Sequence, residues 1–233
     1  MDFLGTNEKE INFNESDKDY YVKFTFYIAY ALLVTTATVT FIEAITNKDP
    51  KVRHILNLET CISVVATYFY GRFIQKINTQ NEINYKDINI NRYLDWSITT
   101  PIMLLVLILT FSYTLKRKVR LFDFMIIVAL NFLMLMFGFM GESNQLDKTV
   151  GNMLGFIAFF ALYYYIFVIY IKNKKILSNQ ILFWVFVVFW SLYGVSYWFD
   201  EKNKNISYNI LDLFSKCFVG IGMWAYLTGV FVV

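Results

Sequence analysis

A chain of 233 residues that is 57% hydrophobic and 20% aromatic, with only two prolines, is not an ordinary soluble domain. Its net charge of +3 is too small to argue for a nucleic-acid partner, and its 17% of charged residues is bunched between long apolar runs, as in a polytopic membrane protein. The two cysteines, Cys61 and Cys217, fall within apolar runs and read as reduced core residues; no disulfide framework, zinc spacing or other metal site is suggested.

Residues 1–19 carry several acids and no apolar signal-peptide core, so they read as an extracellular N-terminal segment with no cleaved targeting sequence. One domain, 20–233, follows. Its apolar segments lie at about 20–45, 53–76, 90–115, 119–141, 150–171, 178–199 and 207–233. Each can cross a hydrocarbon core of about 30 Å, where backbone without hydrogen bonds is forbidden and helices are the open-ended solution. Basic residues cluster in alternate connections: Lys48, Lys51 and Arg53; Lys116, Arg117, Lys118 and Arg120; Lys172, Lys174 and Lys175. By the positive-inside rule the expectation is an all-α membrane protein, a seven-transmembrane helix bundle with its N-terminus outside and its C-terminus inside. The connection from Ile77 to Asn89 is polar and long enough for a small external hairpin. His54, at the start of the second segment, reads as a solvated interfacial side chain. No enzymatic activity is expected.

Polar residues inside the spans carry the information, because facing lipid is costly for them. In the first, Thr36, Thr40 and Glu43 share a face. In the second, Glu59, Ser63 and Thr67 recur at every fourth residue. The third contributes Arg92, Asp95, Thr99 and Thr100, and the seventh Asn205, Asn209, Asp212, Ser215 and Lys216. Isolated threonines can be explained by bonds to their own helix or by helix association. Glu43 and Glu59 fit that explanation less well. Lys216 lies roughly 15 Å into its segment, where a lysine costs about 2.5–3.5 kcal/mol. Asp212 is one turn earlier on the same face. A structural ion pair and a reactive amine used for covalent attachment are both open on these residues alone.

The run Arg92-Tyr93-Leu94-Asp95-Trp96-Ser97-Ile98-Thr99-Thr100-Pro101, the Asp212-to-Lys216 spacing, and Trp190-Ser191-Leu192-Tyr193 followed by Gly194 and Tyr197 together resemble the microbial, type 1, rhodopsins over all seven segments. The resemblance implies all-trans retinal bound to Lys216 as a Schiff base, with Asp95 and Asp212 as counterions and Arg92 on their extracellular side. It further implies that Trp96 and Trp190 sandwich the polyene, that Tyr193 bonds Asp212, that Thr99 bonds Asp95, and that Met103 and Tyr197 lie near the chromophore. Retinal, the lipid bilayer, and monovalent cations or protons are the expected partners; the resemblance leaves a homo-oligomer open.

Departures from the pattern bear on function. Where outward proton pumps carry a cytoplasmic donor carboxylate, eleven residues after Asp95, this chain has Val106; eight residues before Asp212, where some pumps place a releasing glutamate, it has Lys204. The polar stripes instead fall where channelrhodopsins place a cation path, which would take in Arg92, Glu43, Glu59, Ser63 and Asn209. The stretch from Asn57 to Ala66 is similar to viral rhodopsins of giant algal viruses described as light-gated cation channels, which implies a host cell membrane. The expected function is therefore a light-gated cation channel; the alternatives are a light-driven outward proton pump, with Glu59 as a displaced donor, and a sensory rhodopsin.

Overall fold

The computed structural model describes the backbone of residues 5–79 and 82–229, with side chains from Lys18 onward. Its elements are α1 (Gly5–Thr46), α2 (Pro50–Thr79), α3 (Tyr85–Thr114), α4 (Leu121–Glu142), α5 (Lys148–Ile166) running into a π-helical turn (Phe167–Ile171), and α6 (Leu177–Ser196). The last rod is composite: α7 (Glu201–Asp212), a π-helical turn (Leu213–Phe218) and α8 (Val219–Thr228). There is no strand among the described residues.

Local chemistry sets the helix ends. Asp49 accepts from the Lys51 amide at 2.8 Å and Pro50 opens α2, where a missing N–H costs nothing. That backbone bond holds the Asp49 carboxyl below its ordinary range. The side chains of Asn84, Asp147 and Asp200 cap α3, α5 and α7 in the same way. Gly229 closes α8 with a φ of 70°, a conformation that favours glycine.

Among the described residues six rods are long and apolar enough to cross a membrane. The exception is α2, which carries Lys51, Arg53, Glu59, Arg72 and Lys76. It is nonetheless held in the bundle, packed between α1 and α3. The rods close into a ring in chain order, with α1 also against α7 and α3 reaching across to α6 and α7. One apolar core, including Leu104, Leu107, Phe111, Phe159, Leu162 and Phe186, fills the α3–α5–α6 side; another, including Val22, Phe26, Ala66, Tyr70 and Phe73, fills the α1–α2 side. The site lies between them. Helices α4 and α5 approach closely, and a Cβ on Gly151 would lie 2.8 Å from the Phe137 carbonyl oxygen.

Two expectations are corrected, the connection after α2 and the burial of Cys61. Ile77–Thr79 and Tyr85–Asn89 are helical, so the turn between α2 and α3 is too short for a hairpin. The first span, Lys18–Thr46, lies where the apolar segment is expected, and helix α1 continues ahead of it to Gly5, which makes it about 63 Å long at 1.5 Å per residue; Met1 to Leu4 lie outside the described residues. Cys61 is exposed on the outer face of α2 and only Cys217 is buried, because an apolar run in a membrane helix says nothing about which face meets lipid.

Candidate functional site

Lys216 sits in the π-helical turn of the last rod, a wide turn of the kind that marks functional sites in helices. It is 2% exposed, and its Nζ donates to Asp95 Oδ2 at 2.7 Å and to Asp212 Oδ2 at 3.3 Å. Burying one ammonium between two carboxylates leaves an excess negative charge, and Arg92, 4.0 Å from Asp212, offsets it. Asp212 is the hub. Its Oδ2 also accepts from the Tyr70 hydroxyl at 2.9 Å, and its Oδ1 accepts from Tyr193, whose hydroxyl meets Ser215 Oγ at 2.8 Å. Asp95 differs: its Oδ1 is buried without a partner among the described residues. The expected bond from Thr99 goes instead to the Asp95 backbone carbonyl, at 2.9 Å, because a helical threonine reaches the carbonyl four residues back.

Arg92 fills the space among α1, α2, α3 and α7. Its nitrogens reach Asn205 Oδ1 at 3.2 and 3.3 Å, Asn209 Oδ1, and Tyr70 OH at 3.3 Å. The rings of Phe26, Phe73, Tyr70 and Tyr208 surround the guanidinium with centroids 5.1–5.7 Å away, within cation–π range. Asn209 is pinned in turn by donating to Thr25 Oγ1 at 2.9 Å.

A cavity of about 120 Å³ has Lys216 in its lining, and Trp96, Met103, Trp190, Tyr193 and Tyr197 all line it too. Trp96 meets Tyr193 edge-on at 5.5 Å and Trp190 meets Tyr163 at 6.0 Å, so the aromatic walls are fixed by packing. Asp95 and Thr99 are buried but do not line it; Asp95 acts through Lys216. Apolar walls, one lysine in the lining and an unpartnered oxygen on the carboxylate that this lysine bonds fit the chromophore expected from the sequence.

The expected ion-path residues separate into groups. Arg92 and Asn209 belong to the cluster just described. Glu59 is 3% exposed and has no hydrogen-bond or ion-pair partner among the described residues. Its Oε2 lies 3.0 Å from where a Cβ on Gly220 would be, one helical turn beyond Lys216, and Thr36 Cγ2 is 3.3 Å from the same point. Ser63 and Thr67, along the same face of α2, also have hydroxyls without partners among the described residues. Glu43 stands apart, half-buried and accepting from Asn47 at 3.3 Å. Sequence reasoning missed Tyr70, Asn89 and Tyr208. Tyr70 continues the stripe of Glu59, Ser63 and Thr67 by one more turn, a signal hidden by the abundance of aromatics.

The profile of the bacteriorhodopsin-like protein family matches residues 21–230. Among solved structures, the viral rhodopsin OLPVRII is 49% identical, covering 90% of this chain and 99% of that one, with a TM-score of 0.85. A blue light-absorbing proteorhodopsin from Med12 is 25% identical over 88% of this chain and 95% of its own, with a TM-score of 0.71. The green-light absorbing proteorhodopsin of Gamma-proteobacterium EBAC31A08 is 23% identical over 57% of this chain; the match spans 59% of that protein.

Proposed function

The chain belongs to the bacteriorhodopsin-like family, and we propose that it is a retinal-binding membrane protein that moves ions in response to light, most directly as an outward proton pump. When bound through Lys216, all-trans retinal supplies the light-driven isomerisation; the chain's own groups handle the proton. The observation that carries the reading is a pair of buried carboxyls at two levels of the last rod, Asp95 at Lys216 and Glu59 at Gly220, one turn beyond it. Asp95, 2.7 Å from Nζ with a free oxygen, is the acceptor. Glu59, packed beside the next turn of the same rod, is the group that returns a proton, since an unpaired buried carboxyl is held more cheaply neutral than charged. Asp212 has both oxygens committed to tyrosines and serves as the fixed counter-charge. With the basic loops taken as cytoplasmic, Asp95 leads toward Arg92 and the outside while Glu59 faces the inside.

The pump reading now stands ahead of the channel favoured by sequence because Glu59 supplies a donor that Val106 cannot, and because Arg92, ringed by four aromatics, closes the gap between α1, α2, α3 and α7. A light-gated path for monovalent cations is the second reading. It is favoured by the unpartnered hydroxyls of Ser63 and Thr67, which water could solvate along α2. Likeness to a viral rhodopsin supports a host cell membrane as the location. Photocurrents under voltage clamp separate the readings: a pump gives outward current throughout, a channel reverses, and a sensor gives none.

A further inference from the structure

The cavity that Lys216 helps to line also reaches α4 and α5, on the side of the ring away from the last rod. Gly138, Gly151 and Gly155 belong to that wall, which therefore presents backbone where side chains would narrow it. Two phenols stand at this end. Tyr197, just past α6, lines the cavity and is 3% exposed, and its hydroxyl is buried with no partner among the described residues. It lies against α4, where a Cβ on Gly141 would strike that oxygen before any other atom. Tyr93 also lines the cavity, and its hydroxyl oxygen would be 2.9 Å from a Cβ on Gly138, one turn earlier on α4. Neighbours fix both rings: Lys148 Nζ is 5.0 Å from the Tyr197 centroid, and Trp96 meets the Tyr93 ring edge-on at 5.1 Å.

Other polar groups of the lining are already engaged. Thr100 Oγ1 accepts from Asn131 at 2.9 Å, Asn152 donates to the Gly194 carbonyl at 3.0 Å, and the Tyr193 hydroxyl bonds Asp212 and Ser215. The Tyr197 hydroxyl is different. A buried hydroxyl without a partner forfeits the hydrogen bonds it would make to water. Phenylalanine would pack the same ring without that loss, so the oxygen calls for a partner on the ligand. The ring of plain retinal is hydrocarbon and offers a phenol nothing to bond. A hydroxyl or keto group on that ring would accept from Tyr197, and a wall of glycines leaves width for the added oxygen.

We propose that the α4–α5 end of the cavity selects a retinal whose ring carries an oxygen, with the Tyr197 hydroxyl donating to it and Tyr93 standing beside it. The inference rests on attachment of the chromophore at Lys216. Competition for the apoprotein tests it: all-trans retinal is offered in equal amount with 3-hydroxyretinal, and separately with 4-oxoretinal, and the bound chromophores are extracted and quantified by chromatography. One neutral hydrogen bond corresponds to an enrichment of about three- to tenfold, expected in wild type for at least one of the two oxygenated forms. Tyr197→Phe should form pigment with plain retinal and lose the enrichment; Tyr197→Leu is the second variant should Tyr197→Phe form none. No enrichment of either form in wild type, as when a water satisfies the phenol instead, overturns the proposal, and so does enrichment that survives loss of the hydroxyl. A wild type coloured by none of the three compounds refutes attachment at Lys216 itself, whereas equal uptake of all three refutes the selectivity alone.

Discussion

Replacing Glu59 with glutamine probes the donor most sharply. The amide has nearly the shape of the acid, and Glu59 has no hydrogen bond to lose, so the fold should be unaffected. Among the described residues no hydrogen bond or ion pair joins Glu59 to Lys216, so the visible spectrum should stay in place. What disappears is a positioned general acid, a loss worth about 10²–10⁴-fold in rate. Flash spectroscopy, following the absorbance change that reports the missing proton on the Lys216 amine, should therefore show recovery slowed by about 10²-fold or more. The pH dependence should change as well. With Glu59 loaded, recovery does not draw on bulk protons; in Glu59→Gln it must, and it should slow in proportion as proton concentration falls. Recovery that keeps its wild-type rate and its indifference to pH would refute the assignment.

Lys216→Ala protein should stay colourless when retinal is added, and retained visible absorbance would remove Lys216 from the attachment role. Tyr193→Phe leaves Asp212 Oδ1 unpartnered in the interior, a loss of about 1–3 kcal/mol that thermal bleaching should report as a lower transition temperature. Gly151→Ala forces a methyl to within 2.8 Å of a backbone oxygen that cannot turn aside, costing about 1–3 kcal/mol in the same assay. Gly222→Ala meets nothing within 4 Å and should be neutral or slightly stabilising by its better helix propensity; equal behaviour of the two variants would contradict the packing described.

How much could be read from sequence depends on the physics behind each signal. Long apolar runs report membrane helices directly, since every span must bond its own backbone. The Asp212–Lys216 pair is legible because a charge inside a span needs a partner at helical spacing, whereas Asp95, on another helix, is joined to it by the resemblance that the Arg92–Pro101 run carries. Side-chain direction was less legible. Thr99 bonds a backbone oxygen rather than the carboxylate, and the choice depends on a rotamer that spacing does not determine. Cys61 faces outward because lipid and protein interior demand the same composition. The π-helical turn at Leu213–Phe218 leaves no mark in the pattern of residue types. Glu142 and Lys204 read as a loop acid and a lost releasing group, and only the approach of α3, α4 and α7 joins them.

The central claim is directional transport of protons, and current under voltage clamp tests it most directly. With retinal bound, illumination should drive current that stays outward at every accessible voltage and that persists when permeant metal cations are removed. Current that reverses sign near the equilibrium potential of a permeant cation would contradict the account and establish a channel.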